Sequence, residues 1–415
     1  EIPEGWRTIN PKALFTQRKD KAQKGERQLT SSQQYGILYQ DDYMELTGSK
    51  VVTVEKDFDI LKHVEAGDFV ISMRSFQGGL EYSTKSGAIS SAYVMLVPNL
   101  ELVYPRFYRW LLKSSVYIDA LQRTTNMVRD GQAMRYSNFA QVRLFTLPLD
   151  EQKSRADFLD LECSSIDKIL FKTRSSIEEY KKLKQTVITQ AVTKGVRGER
   201  EMKDSGVEWI GEIPKEFNPV QLKFFCKLIT DGTHFSPTTV ENGWPYITAG
   251  DVHGIGLDYN SAKRISEEDF QLLVAQGCQP LKGDVLLVKD GATTGRVGFV
   301  DSDTPCVILS SVAMLRPADN ADGHYLMYLL ASDFLQKQIL VSMAGSAMPR
   351  TTLTKLTKYI GLLPPLHEQK EIANYLDAKC AEIDKLIAKK EQLVKELESY
   401  KKSLIYEVVT GKREV

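Results

Sequence analysis

The chain has 415 residues, 42% of them hydrophobic and 26% charged, with 54 Lys plus Arg against 54 Asp plus Glu. That length calls for two or three domains, and the composition is that of a globular protein able to bury a core. Zero formal net charge, taken alone, weakens a nucleic-acid reading, because phosphate neutralisation needs a local Lys/Arg excess. It does not exclude one, since acidic groups elsewhere can mask a basic face.

No window approaches 18 uninterrupted apolar residues, so a membrane span is not expected. The start, "EIPEGWRTIN", has neither a basic nor an apolar leader region, so nothing in it indicates secretion. It also lacks a Met, as a trimmed or partial sequence would. The five cysteines (Cys163, Cys226, Cys278, Cys306 and Cys380) form no C-x-x-C pair. This argues against a zinc ribbon or a disulfide framework and fits a reducing cytoplasm.

In chain order, "QRKDKAQKGER" (17–27) carries five positive and two negative charges, as a phosphate-tracking loop or a solvated loop would. Strand-length apolar runs are expected at 51–54, 68–73 and 93–97, followed by a helix near 105–121. "GQAMRYSNF" (131–139) comes next, and Pro148 closes the last strand before a long helix for which Asp150 is a plausible N-cap. The polar, Gly-containing stretch 193–214 suits a linker. The second half then offers polar turns at "TDGTH" (230–234) and "KDGATTGR" (289–296), with strands at 284–288 and 306–309. A helix near 323–341, "GSAMPRTTL" (345–353) and a second long helix after Pro365 complete it.

An internal repeat organises these elements. Residues 147–168 align with 364–385 at a constant offset of 217, with 12 identities in 22 positions, where roughly one or two would arise by chance. The repeated phrase is "LPLDEQK" against "PPLHEQK". Weaker echoes pair 1–6 with 212–217, 66–73 with 282–289, 91–98 with 310–317 and 110–114 with 328–332. The chain thus reads as two halves, each a variable domain followed by a more constant helix.

Within those helices, positions spaced alternately by four and three form a coiled-coil stripe. In the first copy they are Ile166, Leu170, Thr173, Ile177, Tyr180, Lys184, Val187 and Ala191. In the second they are Ile383, Ile387, Lys390, Val394, Leu397, Lys401, Leu404 and Val408, flanked by Leu386, Leu393 and Tyr400. Two such stripes most economically bury against each other, as an antiparallel pair about 60 Å long at 1.5 Å per residue. The other arrangement is two surface helices, each packed on its own domain.

Catalytic signatures are missing. "HEQKE" (367–371) begins like a zinc H-E-x-x-H, but Glu371 stands where the second His belongs. "GATTGR" (291–296) has no G-K-[ST] ending, and there is no G-x-S-x-G elbow or amino-methyltransferase tetrad.

Two variable domains, each followed by a "PL-x-E-Q" helix, and the approach "SGVEWIGEIP" (205–214) resemble the specificity subunit of a Type I restriction–modification system across essentially the whole chain. The implied fold is α+β: two mixed α/β target recognition domains in pseudo-twofold arrangement, joined by two long antiparallel coiled-coil helices. The expected boundaries are a first recognition domain at 1–147, a central spacer helix at 148–195 and a linker at 196–212. A second recognition domain at 213–363 and a C-terminal spacer helix at 364–415 follow. The resemblance implies no catalysis by this chain and no cofactor bound to it. Each domain would read one half of a split double-stranded DNA target, in a cytoplasmic complex. The helices would fix the spacing of the halves in turns of about 34 Å. They would also dock two methyltransferase (modification) subunits that use S-adenosylmethionine. Restriction subunits would use ATP and Mg. The competing expectation is a coiled-coil scaffold carrying two ligand-binding domains without DNA specificity.

The resemblance places DNA contacts of the second domain at Thr230, Asp231, Thr233 and His234, and at Lys289, Thr293, Thr294 and Arg296. The corner loops before the helices share a G-x-A-M core, placing Gln132 and Arg135 in one half and Ser346 and Arg350 in the other. There Arg either reads guanine or phosphate, or stays solvated while Met packs beneath. In the first domain "SMRSFQGG" (72–79) is the counterpart of 289–296 and supplies Arg74, Ser75 and Gln77. A carboxylate in the first helical turn suits the macrodipole, but that accounts for one Glu, not a run of identities. Glu151, Gln152 and Lys153, with Glu368, Gln369 and Lys370, are therefore expected to dock the same partner twice.

Overall fold

The computed structural model describes residues 3–54, 58–124, 134–343 and 349–415. The chain divides into two compact units, Glu1–Arg174 with Gln392–Val415, and Ser175–Glu391. The division passes through both long helices, Leu149–Lys194 and Leu366–Val409. Each unit is an α/β body with a part of each helix.

In the first unit, four antiparallel strands run in the order Phe15–Arg18, Val94–Pro98, Phe69–Ile71, Glu81–Tyr82. Phe15 fills the space beneath them, its ring edge-on to Phe69, Tyr108 and Phe139 at centroid distances of 5.4, 5.5 and 5.7 Å, the geometry aromatic quadrupoles favour. Burial pushes the Tyr108 phenol up, and its hydroxyl donates to the Phe145 carbonyl at 2.8 Å. The helix expected at 105–121 is two helices, Pro105–Leu111 and Ser115–Gln122. At the break, Ser114 has extended backbone (φ −72°, ψ 150°), and its hydroxyl donates to Leu111 O at 2.6 Å. This local bond competes with the helix ladder. Residues 51–54 form no strand, and Val52 is 87% exposed.

Much of the charge in 17–27 is paired within the unit. Arg18 grips buried Asp68 through Nε (2.6 Å) and Nη2 (3.1 Å), and Arg27 bonds Asp41 and Asp42. His63 lies between Glu26 (3.0 Å) and Glu65 (2.9 Å). Desolvation lowers its pKa, but the two carboxylates outweigh that and leave it raised above the ordinary histidine value. A raised folded-state pKa gives stability that is full below the unfolded value and lost as pH rises through the folded one. His63→Gln should therefore cost stability, about 0.5 kcal/mol, at pH 5.5 but not at pH 8.5, as read by urea denaturation at the two pH values.

Along the first unit's helical part, residues 149–174 run antiparallel to 392–415. Arg155 donates to Val408 O (3.0 Å), Asp167 pairs with Lys401 (2.6 Å), and Arg174 pairs with Glu398. Ile166, Leu170, Leu404 and Val408 are buried in the same core as the sheet.

The second unit carries a five-stranded sheet in the order Cys226–Asp231, Val312–Pro317, Val285–Val288, Val297–Phe299, Gly254–Ile255, of which only the last pair is parallel. A four-stranded sheet runs Thr239–Val240, Lys263–Ile265, Trp244–Ile247, Val307–Ile308. The expected 323–341 helix is again broken at a serine: Gly323–Ala331 and Asp333–Ser342 flank Ser332, whose hydroxyl donates to Leu329 O at 2.6 Å. Six consecutive residues, Tyr325 to Leu330, are buried. They share a core with the sheet and with Ile188, Val192, Ile372 and Leu376 of the long helices. Here too the helices run antiparallel: the Lys390 ammonium sits 5.7 Å from the Tyr180 ring centroid, Lys184 pairs with Asp384 (2.6 Å) and Arg197 with Glu371 (2.8 Å).

Every stripe position named from the heptad spacing is buried or half-buried, whereas the flanking Leu393 and Tyr400 are exposed. The 196–212 stretch is structured. Met202–Asp204 pairs with Glu212–Pro214 as an antiparallel hairpin, and Arg200 reaches Glu368 while lying over the Phe217 ring at 5.2 Å. Among the described residues no helix is long and apolar enough to cross a membrane.

Candidate nucleic-acid interface

In the second unit the sheet brings three separated polar loops together. "TDGTH" leaves the Cys226–Asp231 strand, "KDGATTGR" joins Val285–Val288 to Val297–Phe299, and the stretch from Pro349 leads into the short helix Leu353–Leu356. Gly232 is required where it stands: a Cβ there would lie 1.9 Å from Ile308 O, because Thr233 N donates to that carbonyl at 3.0 Å. Gly291 and Gly295 have φ of 98° and 97°, and at the second a Cβ would meet Gln336 Oε1 at 2.5 Å. The turn is closed by Gly295 N to Val288 O and Val288 N to Arg296 O, both 2.8 Å.

Lys289, 2% exposed, ties these loops together. Its ammonium donates to Asp290 Oδ2 at 2.8 Å and lies 3.3 Å from Asp231 Oδ2. Arg350 Nε stands 2.9 Å from Asp290 Oδ1, an ion pair without a well-aligned hydrogen bond. Backbone bonds add to this: Gly291 N to Pro349 O (3.0 Å) and Thr351 N to Lys289 O (2.9 Å). Thr294 donates to Gly291 O at 2.7 Å and lies 3.2 Å from Pro349 O.

The expectation of DNA contact is therefore corrected for Lys289 and Thr233. Both side chains are buried, the lysine compensating two aspartates and the threonine accepting from Phe235 N at 2.9 Å. They position the loops. Thr230, Asp231, Thr293, Thr294 and Arg296 are half-buried at the surface, and His234 and Arg350 are exposed. Arg296 and Thr293 have no side-chain partner among the described residues. Ser346 and Gln132 lie outside the described residues.

The first unit builds its equivalent turn differently. Ser75 is buried, its hydroxyl accepting from Ser72 N at 2.8 Å, so the contact expected of it is corrected: it shapes a short helix, Ser75–Gly78. Gly79 (φ 77°) approaches so closely that a Cβ would lie 2.3 Å from Leu112 O. Arg74 and Gln77 are exposed on the turn. At the corner loop Met134 is buried while Arg135 is exposed, the packed-Met arrangement.

The repeated Glu-Gln-Lys phrase has intramolecular partners for four of its six side chains. Gln152, fully buried, accepts from Tyr104 N (2.7 Å) and donates to Leu102 O (2.9 Å) and Leu147 O (2.8 Å). Gln369, equally buried, accepts from Asp322 N (2.9 Å) and donates to Asn320 O and Pro364 O (both 2.9 Å). The same three-bond bracket thus fastens each helix start to the loop before the paired domain helices. Glu368 is 1% exposed and held by Arg200. Partner docking is therefore corrected for Gln152, Gln369 and Glu368, which offer no surface. Half-buried Glu151 accepts from Trp6 Nε1 (2.9 Å) and pairs with Arg155 (2.7 Å). Lys153 and Lys370 are exposed, without an ion-pair partner among the described residues.

One further equivalence was not visible in the motifs. Asp160 binds Arg106, Arg109 and Trp110. Desolvation raises its pKa, but these donors outweigh that and hold the carboxyl below its ordinary value. Its counterpart Asp377 takes His324 (2.9 Å) and Tyr328 (2.8 Å). The aspartate is one of the identities, whereas its partners differ, which is why only the structure reveals the contact.

Residues 214–396 match the family described as Type I restriction modification DNA specificity domain. The chain is 26% identical over 362 residues to the Type I restriction enzyme MjaVIII specificity subunit of Methanocaldococcus jannaschii, covering 84% of this chain and 80% of that protein. It is 23% identical over 361 residues to a putative MjaX specificity subunit of the same organism, covering 85% and 78%. Among solved structures, a chain from work on complex assembly and conformational transition of the type I R-M system superposes with a TM-score of 0.74 at 16% identity, covering 99% of this chain and 98% of that one. The HsdS subunit from Thermoanaerobacter tengcongensis does so at 0.54 and 17%, covering 100% and 98%. These two likenesses concern the fold.

Proposed function

We propose, starting from a chain that belongs to the specificity subunits of Type I restriction–modification systems, that each of its units reads one half of a bipartite double-stranded DNA target. The long helices set the gap between the halves and dock the methyltransferase subunits; restriction subunits join that complex. The chain itself catalyses nothing and binds no cofactor, S-adenosylmethionine and ATP with Mg being used by the partner subunits.

The observation that supports this best is the convergence of three loops, far apart in sequence, on the Asp231–Lys289–Asp290–Arg350 chain. A buried ionic tie is costly to build, and the loops it holds present His234, Thr293 and Arg296, side chains suited to base edges and phosphate. Arg296→Ala should weaken specific DNA binding by the assembled complex about tenfold, with preference relaxed at one half-site only. Quantitative binding to randomised half-sites reads this; unaltered affinity and preference would remove Arg296 from the interface.

Partner docking falls to the exposed identities. Lys153, Lys168 and Lys172 recur as Lys370, Lys385 and Lys389 at the same offset of 217, all exposed and without ion-pair partners among the described residues. Two equivalent partners, each with an acidic contact face, would meet both sets. Inserting four residues into each long helix should change the gap between half-sites and leave their sequences intact, as methylation mapping would show; an unchanged gap would defeat the spacer role.

A further inference from the structure

The first unit holds a broad surface groove of about 1220 Å³, formed mainly where residues 28–34, 49–54, 72–77 and 88–93 come together, with Gln40, Tyr43, Ile60 and Leu61. That is wider than the roughly 300–1,000 Å³ of small-molecule sites. Among the described residues twenty-six side chains line it, and none of these is an aspartate or glutamate. With 54 acidic residues in 415, a lining of that size would carry about three, and a cleft of one charge sign focuses ligands of the other. Among the described lining residues the charged members are Lys50 and Arg74, and five of the others are glutamines.

The groove is built, and its amides divide into two kinds. Gln28 donates to Val54 O (2.8 Å) and accepts from Val54 N (2.9 Å), fixing one wall. Gln33 Nε2 donates to Arg74 O at 3.3 Å, tying the loop after the Leu29–Ser32 strand to the 72–79 turn. The side-chain amides of Gln34 and Gln77, by contrast, are exposed with no hydrogen-bond partner among the described residues, as are the charged ends of Lys50 and Arg74. Two unengaged amides and two cations therefore face a groove whose described lining carries no carboxylate.

We infer that this groove is where the first unit reads its half of the DNA target, with Gln34 and Gln77 addressing base edges and Lys50 and Arg74 the phosphates that flank them. A glutamine amide presents a donor beside an acceptor and matches adenine N6 and N7 in the major groove. A lysine on a flexible stem carries charge without base preference. The inference rests on the reading of the chain as a DNA-recognition subunit, and it adds residues 31–34 and 50 to a half-site otherwise assigned only to the 72–79 turn and the corner loop.

The test uses the complex of the full chain with its methyltransferase partner, carrying Gln34→Leu, Gln77→Leu or Lys50→Ala, and duplexes randomised in one half-site at a time. Each glutamine variant should lose about tenfold of its discrimination at a position in one half-site, while the other half-site is read as before. Lys50→Ala should weaken binding to all sequences alike and flatten its salt dependence. Full discrimination in both glutamine variants, or relaxation in both half-sites together, would overturn the assignment. A parent complex that binds DNA without sequence preference would overturn the DNA-recognition reading itself, and the groove assignment with it.

Discussion

Replacing Gln152 by alanine should destabilise the first unit by about 3 kcal/mol, and Gln369→Ala should do the same to the second. Each amide is fully buried and makes three bonds to backbone groups, one accepted and two donated. Truncation strands an N–H and two carbonyls in an enclosed space, and an unsatisfied buried group costs roughly 1–3 kcal/mol. Site-resolved amide exchange is the direct measurement, because the accepted bonds belong to identified amides. The Tyr104 amide should lose protection in Gln152→Ala and the Asp322 amide in Gln369→Ala. Lys153→Ala and Lys370→Ala, on the same turns but exposed, should leave both amides protected while weakening partner assembly. Equal destabilisation by the lysine and glutamine variants would mean that the phrase is not divided between an inward and an outward task.

The second large effect is expected at Lys289. Substitution by methionine keeps the length of the side chain but leaves Asp231 and Asp290 facing each other without the ammonium that lies 3.3 and 2.8 Å from them. Removing one member of a buried ionic cluster costs roughly 3–5 kcal/mol; both aspartates here retain some solvent, so about 3 kcal/mol is expected. Adding Asp231→Asn and Asp290→Asn to Lys289→Met should recover most of the loss, a coupling that denaturant titration of the variants would measure. DNA binding should fall in the single variant through collapse of the three-loop cluster. A Lys289→Met protein of parental stability that loses DNA binding alone would make Lys289 a direct contact.

Much of this organisation was legible in the sequence, for physical reasons that can be named. The 217-residue offset marks two equivalent halves because 12 ungapped identities in 22 positions exceed chance, and the heptad stripes mark long helices because their period is sustained over many turns. Position by position, Ile166 to Ala191 and Ile383 to Val408 are the buried or half-buried face. The serine breaks at Ser114 and Ser332 were hidden because "LLKSS" and "LLASD" contain neither Gly nor Pro, and a serine hydroxyl acts as a helix breaker only when it turns back on its own carbonyl. Residues 202–204 read as linker because their strand partner, Glu212–Pro214, reads as the entrance of the following domain.

The sites divide along similar lines. Loops of the second unit were recognisable from Gly-permitted turns, and Gly232, Gly291 and Gly295 are needed for close approach or positive φ. Which polar side chains of those turns face inward was not legible, because Lys289 and Arg296 belong to one eight-residue turn and only its folding separates the buried cation from the free one. The first unit's groove was invisible for a different reason: its residues come from stretches scattered between 28 and 93 that share no motif, and only the sheet and its loops assemble them.

The central claim is that each unit reads its own half of a split DNA sequence. The most direct test exchanges residues 216–363 for the corresponding segment of another specificity subunit and maps methylation in cells that also express the methyltransferase partner. One half-site should change to that of the donor, while the other half-site and the gap between them stay as in the parent. An unchanged target, or simultaneous change of both halves, would contradict it.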